Sequence, residues 1–483
     1  MGRPRTPLLP RAPGEIVTPT PPASIPPLRA VALLITGADI VCFDDSDTQI
    51  RDGAIAIDGD SIVWIGPAGE APERFTANQT MLARNMIAMP GFIDCHVHTA
   101  QQFLHGKLPS IRRQGQLRSP MWQRYLIPFE SCLGPEDVYS SGVAAYAAMI
   151  RSGTTCFLEA GGPFPDEMGR AADEIGIRGR IAMSTMDATE DLPPHSRMDT
   201  AVALRSSEEL VQRWRSHPRV NAWLSLRQLM VNSEALRLGM RDLSHKLDTP
   251  IHTHLAEGTY EVDFAIKHWS VRSAEYLERI GCLDRHVHAA HSVLLSLNEL
   301  ELYAARDVSA CHCPLNNYTM GTPRLLEMMR RGIRVGLGTD GAATRASLDM
   351  FQVLHGAVLG QQAVAGTPYH IDPPVTHEQM LKQALRGGAR TARLEHEIGS
   401  LEAGKKADIV LVATDDYDQF PNYDPVITLA ESAVGRDVRT VIIDGRVVLE
   451  DRELVTLDLG RMRERVAQNY QSIMSRFDRA IAT

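Results

Sequence analysis

Short apolar segments broken by Asp and Gly mark both ends of the chain. Near the start they read ALLITGADIVCFD, GAIAIDGDSIVWIG and MIAMPG, and near the end ADIVLVAT and VRTVIIDGRVVLED. Apolar and polar positions that alternate between turns such as Asp-Gly-Asp are typical of antiparallel strands. Because the same pattern returns at both ends, we expect one small β-sandwich domain built from residues 29–89 and 395–456, with the middle of the chain inserted between them.

The middle of the chain, residues 90–394, has a different pattern in which short apolar strands alternate with helical stretches. The strands read GFIDCHVH, TTCFLEA, RGRIAMSTM, VNAWLSL, PIHTHLAE, HVHAAHSV, VSACHCP and RVGLGTD. A strand followed by a helix, repeated about eight times, is typical of a parallel (β/α)8 TIM barrel. An open doubly wound sheet is the alternative, but no Gly-rich phosphate loop follows the first strand. We therefore predict the α/β class, with the barrel, the small β domain and a C-terminal helix over 457–483.

The composition is that of an ordinary globular protein. Of 483 residues, 44% are hydrophobic and 23% are charged, and the formal net charge is −9. No basic stripe stands out, which argues against nucleic acid as a partner. No window approaches the roughly 20 apolar residues that a membrane span needs. We therefore expect neither nucleic acid nor a membrane as a partner.

The cysteines and the N-terminus bear on the cellular compartment. The seven cysteines are scattered, and such an odd set does not indicate a disulfide framework. Cys311-His312-Cys313 has ligand-like spacing, but no second Cys pair completes a tetrahedral set, so we favour a structural role for it. Residues 1–28 are rich in Pro and Arg and lack the apolar stretch of a signal peptide. We expect a disordered tail there and a cytoplasmic protein.

Polar residues at the strand ends carry the candidate chemistry, because barrel active sites lie at the carboxyl ends of the strands. His96 and His98 end the first barrel strand and, at i and i+2, point to the same side. His254 ends the fifth strand, with His252 one layer deeper as a hydrogen-bonded support. Glu257 follows three residues later, where a carboxylate can act as general acid and base without binding the metal.

The sixth and eighth strands contribute one candidate each. In HVHAAHS, His291 lies nearest the carboxyl end, whereas we expect structural or surface roles for His286 and His288. Asp340 ends GLGTD, after small residues that permit close packing. Three neutral histidines and one aspartate suit a divalent metal such as zinc, iron or cobalt. Such an ion lowers the pKa of its water from about 15.7 towards about 7.

Several motifs together resemble the amidohydrolase superfamily, in the branch that contains guanine deaminase, atrazine chlorohydrolase and the thioether nucleoside deaminases. They are PGFIDCHVH, HTHLAE, AAHSVLLS, CHCPLNNYTMG and GLGTDGAATRASLDMF, and IGSLEAGKKADIVLV and VIIDGRVV also match. The resemblance covers about residues 30–456. It implies a hydrolase of carbon–nitrogen bonds other than peptide bonds, with the barrel as its catalytic domain.

The resemblance also assigns roles to the strand-end residues. It implies that Glu257 and His291 handle protons and polarise the group under attack, and that one metal ion is bound by His96, His98, His254 and Asp340. Binuclear relatives carry a lysine at the end of the fourth strand, whereas WLSLRQL has none. We therefore expect one divalent ion per subunit, Zn²⁺ as the first choice and Fe²⁺ or Co²⁺ as alternatives.

The substrate pocket matches this branch less closely. In guanine deaminase a Gln after the HxH pair and an Arg in a Pro-Arg-Phe segment hold the purine, and Gln101 and Arg227 fall at matching positions. Arg227, however, lies in a Leu-Arg-Gln segment, and atrazine chlorohydrolase also has a Gln at the position of Gln101. The nucleoside deaminases carry a Glu before a Trp to hold the ribose, whereas here Met121 precedes Trp122, which argues against a ribose-bearing substrate. The predicted substrate-binding residues are Gln101, Trp122 and Arg227.

These residues favour hydrolytic deamination of a planar amino-substituted heterocycle such as a purine, pterin or triazine. Glu257 would carry a proton from water to the ring nitrogen, Asp340 would relay a second one to the leaving amine, and His291 would stabilise developing charge. The alternatives are hydrolysis of a urea, amide, carbamate or C–Cl bond in a small, herbicide-like molecule, and a non-catalytic scaffold, which the intact ligand set disfavours. The resemblance also implies a homo-oligomer that acts on a small molecule.

Overall fold

The computed structural model describes residues 28–188, 192–193, 196–345, 347–366 and 373–482. The predicted tail, residues 1–28, lies outside the described residues except for Leu28. Five strands and one short helix precede the barrel. They are β1 (Arg29–Val41), β2 (Gln49–Asp58), β3 (Ser61–Pro67), α1 (Ala71–Arg74), β4 (Phe75–Leu82) and β5 (Met86–Pro90).

Eight parallel strands then form a barrel, with each strand hydrogen-bonded to the next one along the chain. All residues of these strands except Asn221 and Arg334 are buried, as expected when helices cover the outside and side chains fill the inside. The backbone N–H of Asp340 donates to the carbonyl of His96 at 2.9 Å and so joins the last strand to the first. The strands are β6 (Phe92–Val97), β7 (Thr154–Glu159), β8 (Arg178–Ala182), β9 (Val220–Gln228), β10 (Ile251–Leu255), β11 (Val287–His291), β12 (Ser309–His312) and β13 (Arg334–Leu337).

Helices connect the barrel strands on the outside, which confirms the predicted (β/α)8 barrel. Local capping sets their ends, as in α7, where the Ser233 hydroxyl accepts from the N–H of Leu236 at 3.1 Å. The helices are α2 (Lys107–Arg113), α3 (Ile127–Glu130), α4 (Pro135–Arg151), α5 (Pro165–Ile175), α6 (Thr200–Trp214), α7 (Glu234–Leu247), α8 (Thr259–Trp269), α9 (Ser273–Arg279), α10 (Leu297–Ala305), α11 (Pro314–Asn317), α12 (Leu325–Arg330), α13 (Ala342–Arg345), α14 (Met350–Ala365), α15 (His377–Lys382) and α16 (Gly388–Thr391).

The chain then returns to the first sheet. Strand β14 pairs antiparallel with β5, which joins the two chain ends in one nine-stranded sheet of order β17-β16-β15-β14-β5-β1-β2-β3, with β4 also paired to β1. The predicted small β domain built from both ends is thereby confirmed. Its last elements are β14 (Ile409–Ala413), α17 (Pro425–Ile427), β15 (Val438–Ile443), β16 (Arg446–Glu450), β17 (Glu453–Leu454) and α18 (Leu459–Ala482).

Strand β14 shows how the sheet is attached to the barrel. Ile409 and Leu411 belong to the core of the small sheet, whereas Val410 and Val412 belong to the large core of the barrel. Alternate residues of a strand point to opposite faces, so this strand serves both cores. Helix α18 packs back on the barrel through Phe477, whose ring lies 5.4 Å from that of Phe129, centroid to centroid. No helix within the described ranges is long and apolar enough to cross a membrane.

A buried ion pair also links the sheet to the barrel. Arg178, at the start of β8, donates from Nε and Nη2 to the two carboxylate oxygens of Asp408 at 2.8 and 3.0 Å. Its Nη2 also donates to Asp444 at 2.9 Å. The side chains of Arg178 and Asp408 are 2% and 3% exposed. Removing Asp408 would therefore leave the buried guanidinium with Asp444 as its remaining partner and two of its N–H groups without an acceptor.

Asp408→Asn should lower the free energy of unfolding by about 3–5 kcal/mol, because the Arg178 guanidinium loses its bidentate partner. Urea denaturation of the purified variant measures this change. The matched control is Glu70→Gln, which removes an exposed partner of Arg74 and should cost less than about 1 kcal/mol. Equal losses in the two variants would show that the buried pair does not stabilise the attachment of the sheet.

Candidate metal centre and catalytic site

Four side chains converge at the carboxyl end of the barrel, from the first, fifth and eighth strands. Nε2 of His98 lies 3.1 Å from Nε2 of His254, and Nε2 of His96 lies 3.3 Å from Oδ1 of Asp340. The distance from Nε2 of His98 to the same Asp340 oxygen is 3.8 Å. Ligands at about 2.0–2.1 Å around a tetrahedral zinc ion stand roughly 3.3 Å apart. The four predicted ligands therefore fit one such ion.

Hydrogen bonds orient the imidazoles towards this point. Nδ1 of His254 donates to the carbonyl of Arg227 at 2.8 Å, which leaves the Nε2 lone pair for a metal. Nδ1 of His96 lies 2.8 Å from Nε2 of His252, the predicted support one layer deeper. Among the described residues, Nε2 of His96 is buried and has no hydrogen-bond partner. Hydrogen bonds to the far ring nitrogen, such as those at Nδ1 of His254 and His96, fix the tautomer of metal-binding histidines.

The electrostatics of the centre also suit a cation. Burial lowers the pKa of His96, His98 and His254 well below the ordinary value, so the three imidazoles are neutral near pH 7. Burial raises the pKa of Asp340. The other oxygen of Asp340, Oδ2, accepts from the amide of Asn316 at 2.7 Å. Three neutral imidazole nitrogens and one carboxylate oxygen are the kind of ligands that a divalent cation prefers. The cation would also compensate the negative charge of the buried carboxylate.

Glu257 and His291 stand beside this centre. Oε1 of Glu257 lies 3.8 Å from Nε2 of His291. The second oxygen, Oε2, accepts from Nε2 of Gln228 at 2.8 Å and from the hydroxyl of Tyr260 at 2.6 Å. The carboxylate is thus held through one oxygen, and the other one is directed towards His291.

The His291 imidazole is held from behind by an amide. Its Nδ1 lies 3.0 Å from Oδ1 of Asn317, so Nδ1–H donates and Nε2 faces the centre. Burial opposes protonation, but the charges of Glu257 and Asp340 and a hydrogen bond with Cys313 outweigh it and raise the pKa of His291 well above its ordinary value. A bound divalent cation would act in the opposite direction.

The backbone is left-handed where the catalytic strands end. His291 has φ 68°, Asp340 has φ 65°, and Ala256, next to Glu257, has φ 51°. Non-glycine residues rarely adopt this conformation, and it costs free energy that the surrounding contacts must offset. Here it turns the chain at the end of β11 and shortly after the ends of β10 and β13, next to the side chains that face the cavity.

A cavity of about 580 Å³ opens above the centre. Two of the predicted substrate-binding residues, Trp122 and Arg227, line it, together with His98, His254, Glu257, His291 and Asp340. Gln101 is not among the described residues that line the cavity. Its side chain is buried, and Nε2 donates at 2.6 Å to Glu130, which also accepts from Nη1 of Arg227 at 3.2 Å. Gln101 thus reaches the site through Glu130 and Arg227.

Four further residues contact the predicted set, and no role was predicted for them from the sequence. They hold the catalytic carboxylates and His291 in place: Gln228, Tyr260, Asn316 and Asn317. Gln228 adjoins Arg227 at the end of the fourth strand, and the two asparagines lie in the quoted motif CHCPLNNYTMG. Strand-end position was therefore an available indication for Gln228, whereas Tyr260 lies on a helix and gave none.

Comparisons with known proteins identify the family of this chain. A model of the amidohydrolase family matches residues 87–448. The chain belongs to the amidohydrolase family. The predicted resemblance is confirmed, and with it the expectation of a hydrolase of carbon–nitrogen bonds.

Individual relatives of this amidohydrolase align over nearly their whole length. A 5-methylthioadenosine/S-adenosylhomocysteine deaminase from Desulforudis audaxviator is 32% identical over 90% of this chain and 98% of its own. An adenosine deaminase from Xanthomonas campestris, solved with bound zinc, is 27% identical with a TM-score of 0.84, over 93% and 100% of the two chains. Atrazine chlorohydrolase from Arthrobacter aurescens, also solved with zinc, shares the fold with a TM-score of 0.79 at 23% identity, over 91% and 99%.

Asp340→Asn and His98→Asn should each lower the metal content of the amidohydrolase by one equivalent per chain, since three donors hold the ion much less tightly than four. Atomic absorption on protein purified without chelators measures it. The control is His268→Asn, an exposed histidine beside Phe264 on α8, which should keep the wild-type content. Because burial lowers the pKa of the three histidine ligands, the wild type should still hold its ion at about pH 6, below the ordinary histidine pKa of about 6.5. Unchanged metal content in both ligand variants would contradict the assignment.

Proposed function

We propose that this amidohydrolase removes an amino group by hydrolysis from a planar N-heterocycle such as a purine, pterin or triazine. The observation that carries the proposal is the geometry of the cavity floor. There the four predicted metal ligands lie beside Oε1 of Glu257 and Nε2 of His291, two atoms that are 3.8 Å apart. The deaminases among its relatives support the same reaction class.

One divalent ion per subunit is part of the proposal, held by His96, His98, His254 and Asp340. Zinc is the first choice because two solved relatives contain it, with Fe²⁺ or Co²⁺ as alternatives. The fourth strand ends in Arg227-Gln228 without a lysine, which supports a single ion. When bound, the ion acts as a Lewis acid that makes water a nucleophile near neutral pH.

Glu257 is proposed as the group that moves protons. Gln228 and Tyr260 engage Oε2, so Oε1 is the oxygen able to accept a proton from the attacking water and to donate it to the ring nitrogen. Burial and the Glu257 carboxylate raise the pKa of Tyr260 well above its usual range, so its hydroxyl remains a donor. This fixed donor prevents the carboxylate from turning its reactive oxygen away.

His291 and Asp340 complete the proposed chemistry. The amide oxygen of Asn317 accepts from Nδ1–H of His291, so Nε2 faces the reacting atoms. When Nε2 is protonated as well, its N–H can stabilise negative charge that develops on the attacking oxygen. Asp340 has Asn316 on Oδ2 and the histidines beside Oδ1, a position from which it can relay the second proton to the leaving amine.

The cavity walls support a flat, polar ring as the substrate. A volume of about 580 Å³ lies in the range of small-molecule sites. Trp122 and Tyr260, with ring centroids 6.5 Å apart, both line the cavity and offer aromatic surface. Arg227, fixed by Glu130, is proposed to hydrogen-bond the ring edge, and Gln101 to act indirectly by holding Glu130.

Assembly and location belong to the proposal as well. We infer a cytoplasmic homo-oligomer whose partner is the small-molecule substrate and not a nucleic acid or a membrane. All seven cysteines, each within the described ranges, are free thiols, which suits a reducing compartment. The formal charge of −9 disfavours binding to a polyanion.

The test is ammonia release from a panel of purines, pterins, triazines and pyrimidines, followed by aryl ureas and thiocarbamates. We expect ammonia from at least one amino-substituted ring. Release of chloride or an alkylamine without ammonia would favour the alternative bond cleavages. No turnover, together with less than about a tenth of a metal equivalent, would favour the non-catalytic scaffold.

Glu257→Gln is the variant that separates chemistry from binding in this screen. It should abolish turnover of the best substrate and keep the metal content of the wild type, because glutamine retains the shape and cannot accept the proton. A variant that keeps a tenth of the wild-type rate would show that Glu257 does not transfer the proton.

Tyr260→Phe should lower kcat about tenfold, because one of the two donors that orient Glu257 is lost while the ring remains. Metal content should stay unchanged, since Tyr260 does not contact the ligand set. Tyr318→Phe is the matched control, because its hydroxyl donates to the carbonyl of Ala357 and not to a catalytic residue. Equal rates for Tyr260→Phe and the wild type would mean that Gln228 alone suffices to orient the carboxylate.

A further inference from the structure

A second group of potential metal ligands lies at the opposite end of the barrel from the catalytic centre. His245 is in the last turn of α7, and Asp284 and His286 precede strand β11. The same strand ends at His291, five residues beyond His286, which corresponds to roughly 16 Å along a strand. This cluster, defined as His245, Asp284 and His286, is therefore separate from the catalytic ion.

The geometry of the cluster is compact. Nε2 of His245 lies 2.5 Å from Oδ2 of Asp284, and Nδ1 of His286 lies 3.5 Å from Oδ1 of the same carboxylate. One ligand atom from each residue can be chosen so that all three lie within 4.8 Å of one another. The two imidazole centroids are 5.0 Å apart. Two nitrogens thus face one carboxylate, each beside a different oxygen.

His286 carries the strongest indication of a ligand. Its side chain is 7% exposed, and Nε2 donates to Oδ1 of Asp248 at 2.9 Å. Among the described residues, Nδ1 has no hydrogen-bond partner although it is buried. With the proton on Nε2, the lone pair of Nδ1 faces the Asp284 carboxylate, a repulsive contact unless a cation stands between them. A carboxylate on the far nitrogen of a histidine is the usual arrangement behind a metal-binding imidazole.

We propose that His245, Asp284 and His286 bind a second divalent cation of the zinc class, with water in the remaining coordination positions. Two imidazole nitrogens and one carboxylate oxygen match the preference of zinc and exclude the all-oxygen sites of magnesium and calcium. His245 has a half-exposed side chain, so it can withdraw from Asp284 to the separation of roughly 3.3 Å that two ligands of a tetrahedral ion require. The open side of the site admits the ion from solvent.

The charges around the cluster permit such an ion. Burial raises the pKa of Asp284, but hydrogen bonds from His245 and from the backbone N–H of His286 help to outweigh it and lower the pKa well below its usual range, so the carboxylate is ionised at neutral pH. Arg285 and Arg393 contact Asp248, at 3.3 and 3.7 Å, on the other side of the His286 ring. These guanidinium groups weaken the site, but Asp248 partly neutralises them.

The alternative occupant of the gap is a proton. A doubly protonated His286 between Asp248 and Asp284 would remove the repulsion without any metal. An ion would additionally connect the end of α7 to the segment before β11. Because the ion binds the folded chain and not the unfolded one, adding zinc would raise the thermal midpoint of unfolding. If a proton occupies the gap instead, added zinc would not change the thermal midpoint through this site.

The experiment is equilibrium dialysis of metal-stripped protein against ZnCl₂. We expect two equivalents per chain for the wild type, one for His245→Gln and for Asp284→Asn, and one for His98→Asn. The matched control is His217→Gln, which removes a His–Asp pair with Asp173 that does not belong to any three-ligand group within the described residues. This control should bind two equivalents, and His245→Gln should keep the turnover of the wild type.

The variants also separate this site from the proposed function. A single equivalent in the wild type, lost in His98→Asn and kept in His245→Gln, would overturn the second site and leave the catalytic proposal intact. The reverse pattern would overturn the catalytic ion instead. As a second measurement, zinc should raise the thermal midpoint of His98→Asn and have no effect on the His98→Asn, His245→Gln double variant. A shift of equal size in both proteins would also contradict the second site.

Discussion

The contact between the first and last barrel strands determines where the catalytic groups lie. The carbonyl of His96 accepts from the N–H of Asp340 at 2.9 Å, and Asp94 accepts from the N–H and the hydroxyl of Thr339 at 3.1 and 2.6 Å. These contacts bring Oδ1 of Asp340 to 3.3 Å from Nε2 of His96. Side chains about 240 positions apart in the chain thereby meet at the predicted metal position. If the first and last strands were farther apart, the buried Asp340 carboxylate would lose its polar neighbours.

The catalytic end is also expensive to build, because it buries many polar groups close together. Hydrogen bonds offset much of that free-energy cost. Asn316 hydrogen-bonds Asp340, and Asn317 hydrogen-bonds His291. Gln228 and Tyr260 both donate to Glu257. Each of these hydrogen bonds leaves one atom of the catalytic side chain directed at the cavity. The same contacts that satisfy the buried groups therefore also determine which oxygen or nitrogen faces a substrate.

Sequence reasoning reached the barrel and the strand-end residues because both depend on local pattern. Alternating strands and helices predict the fold, and the i, i+2 spacing of His96 and His98 predicts that they point to one side. The hydrogen bonds that link Gln101 through Glu130 to Arg227 could not be predicted from the sequence. The three residues come from separate segments, and they are in contact only in the folded chain. Tyr260 was missed for a related reason: its helical position carries no pattern that distinguishes a residue facing the cavity from one facing solvent.

The division between strands and loops also bears on how a cavity can change its substrate. The ion-binding and proton-transferring residues lie at or next to strand ends, where the sheet fixes them. The aromatic walls come from connecting segments: Trp122 from a π-helical turn, Trp122–Leu126, and Tyr260 from the start of α8. Segments outside the sheet tolerate substitution better than its strands. Substrate preference can therefore diverge among relatives that keep the same metal-ligand positions, because the residues at the strand ends and the residues of the aromatic walls lie on different parts of the fold.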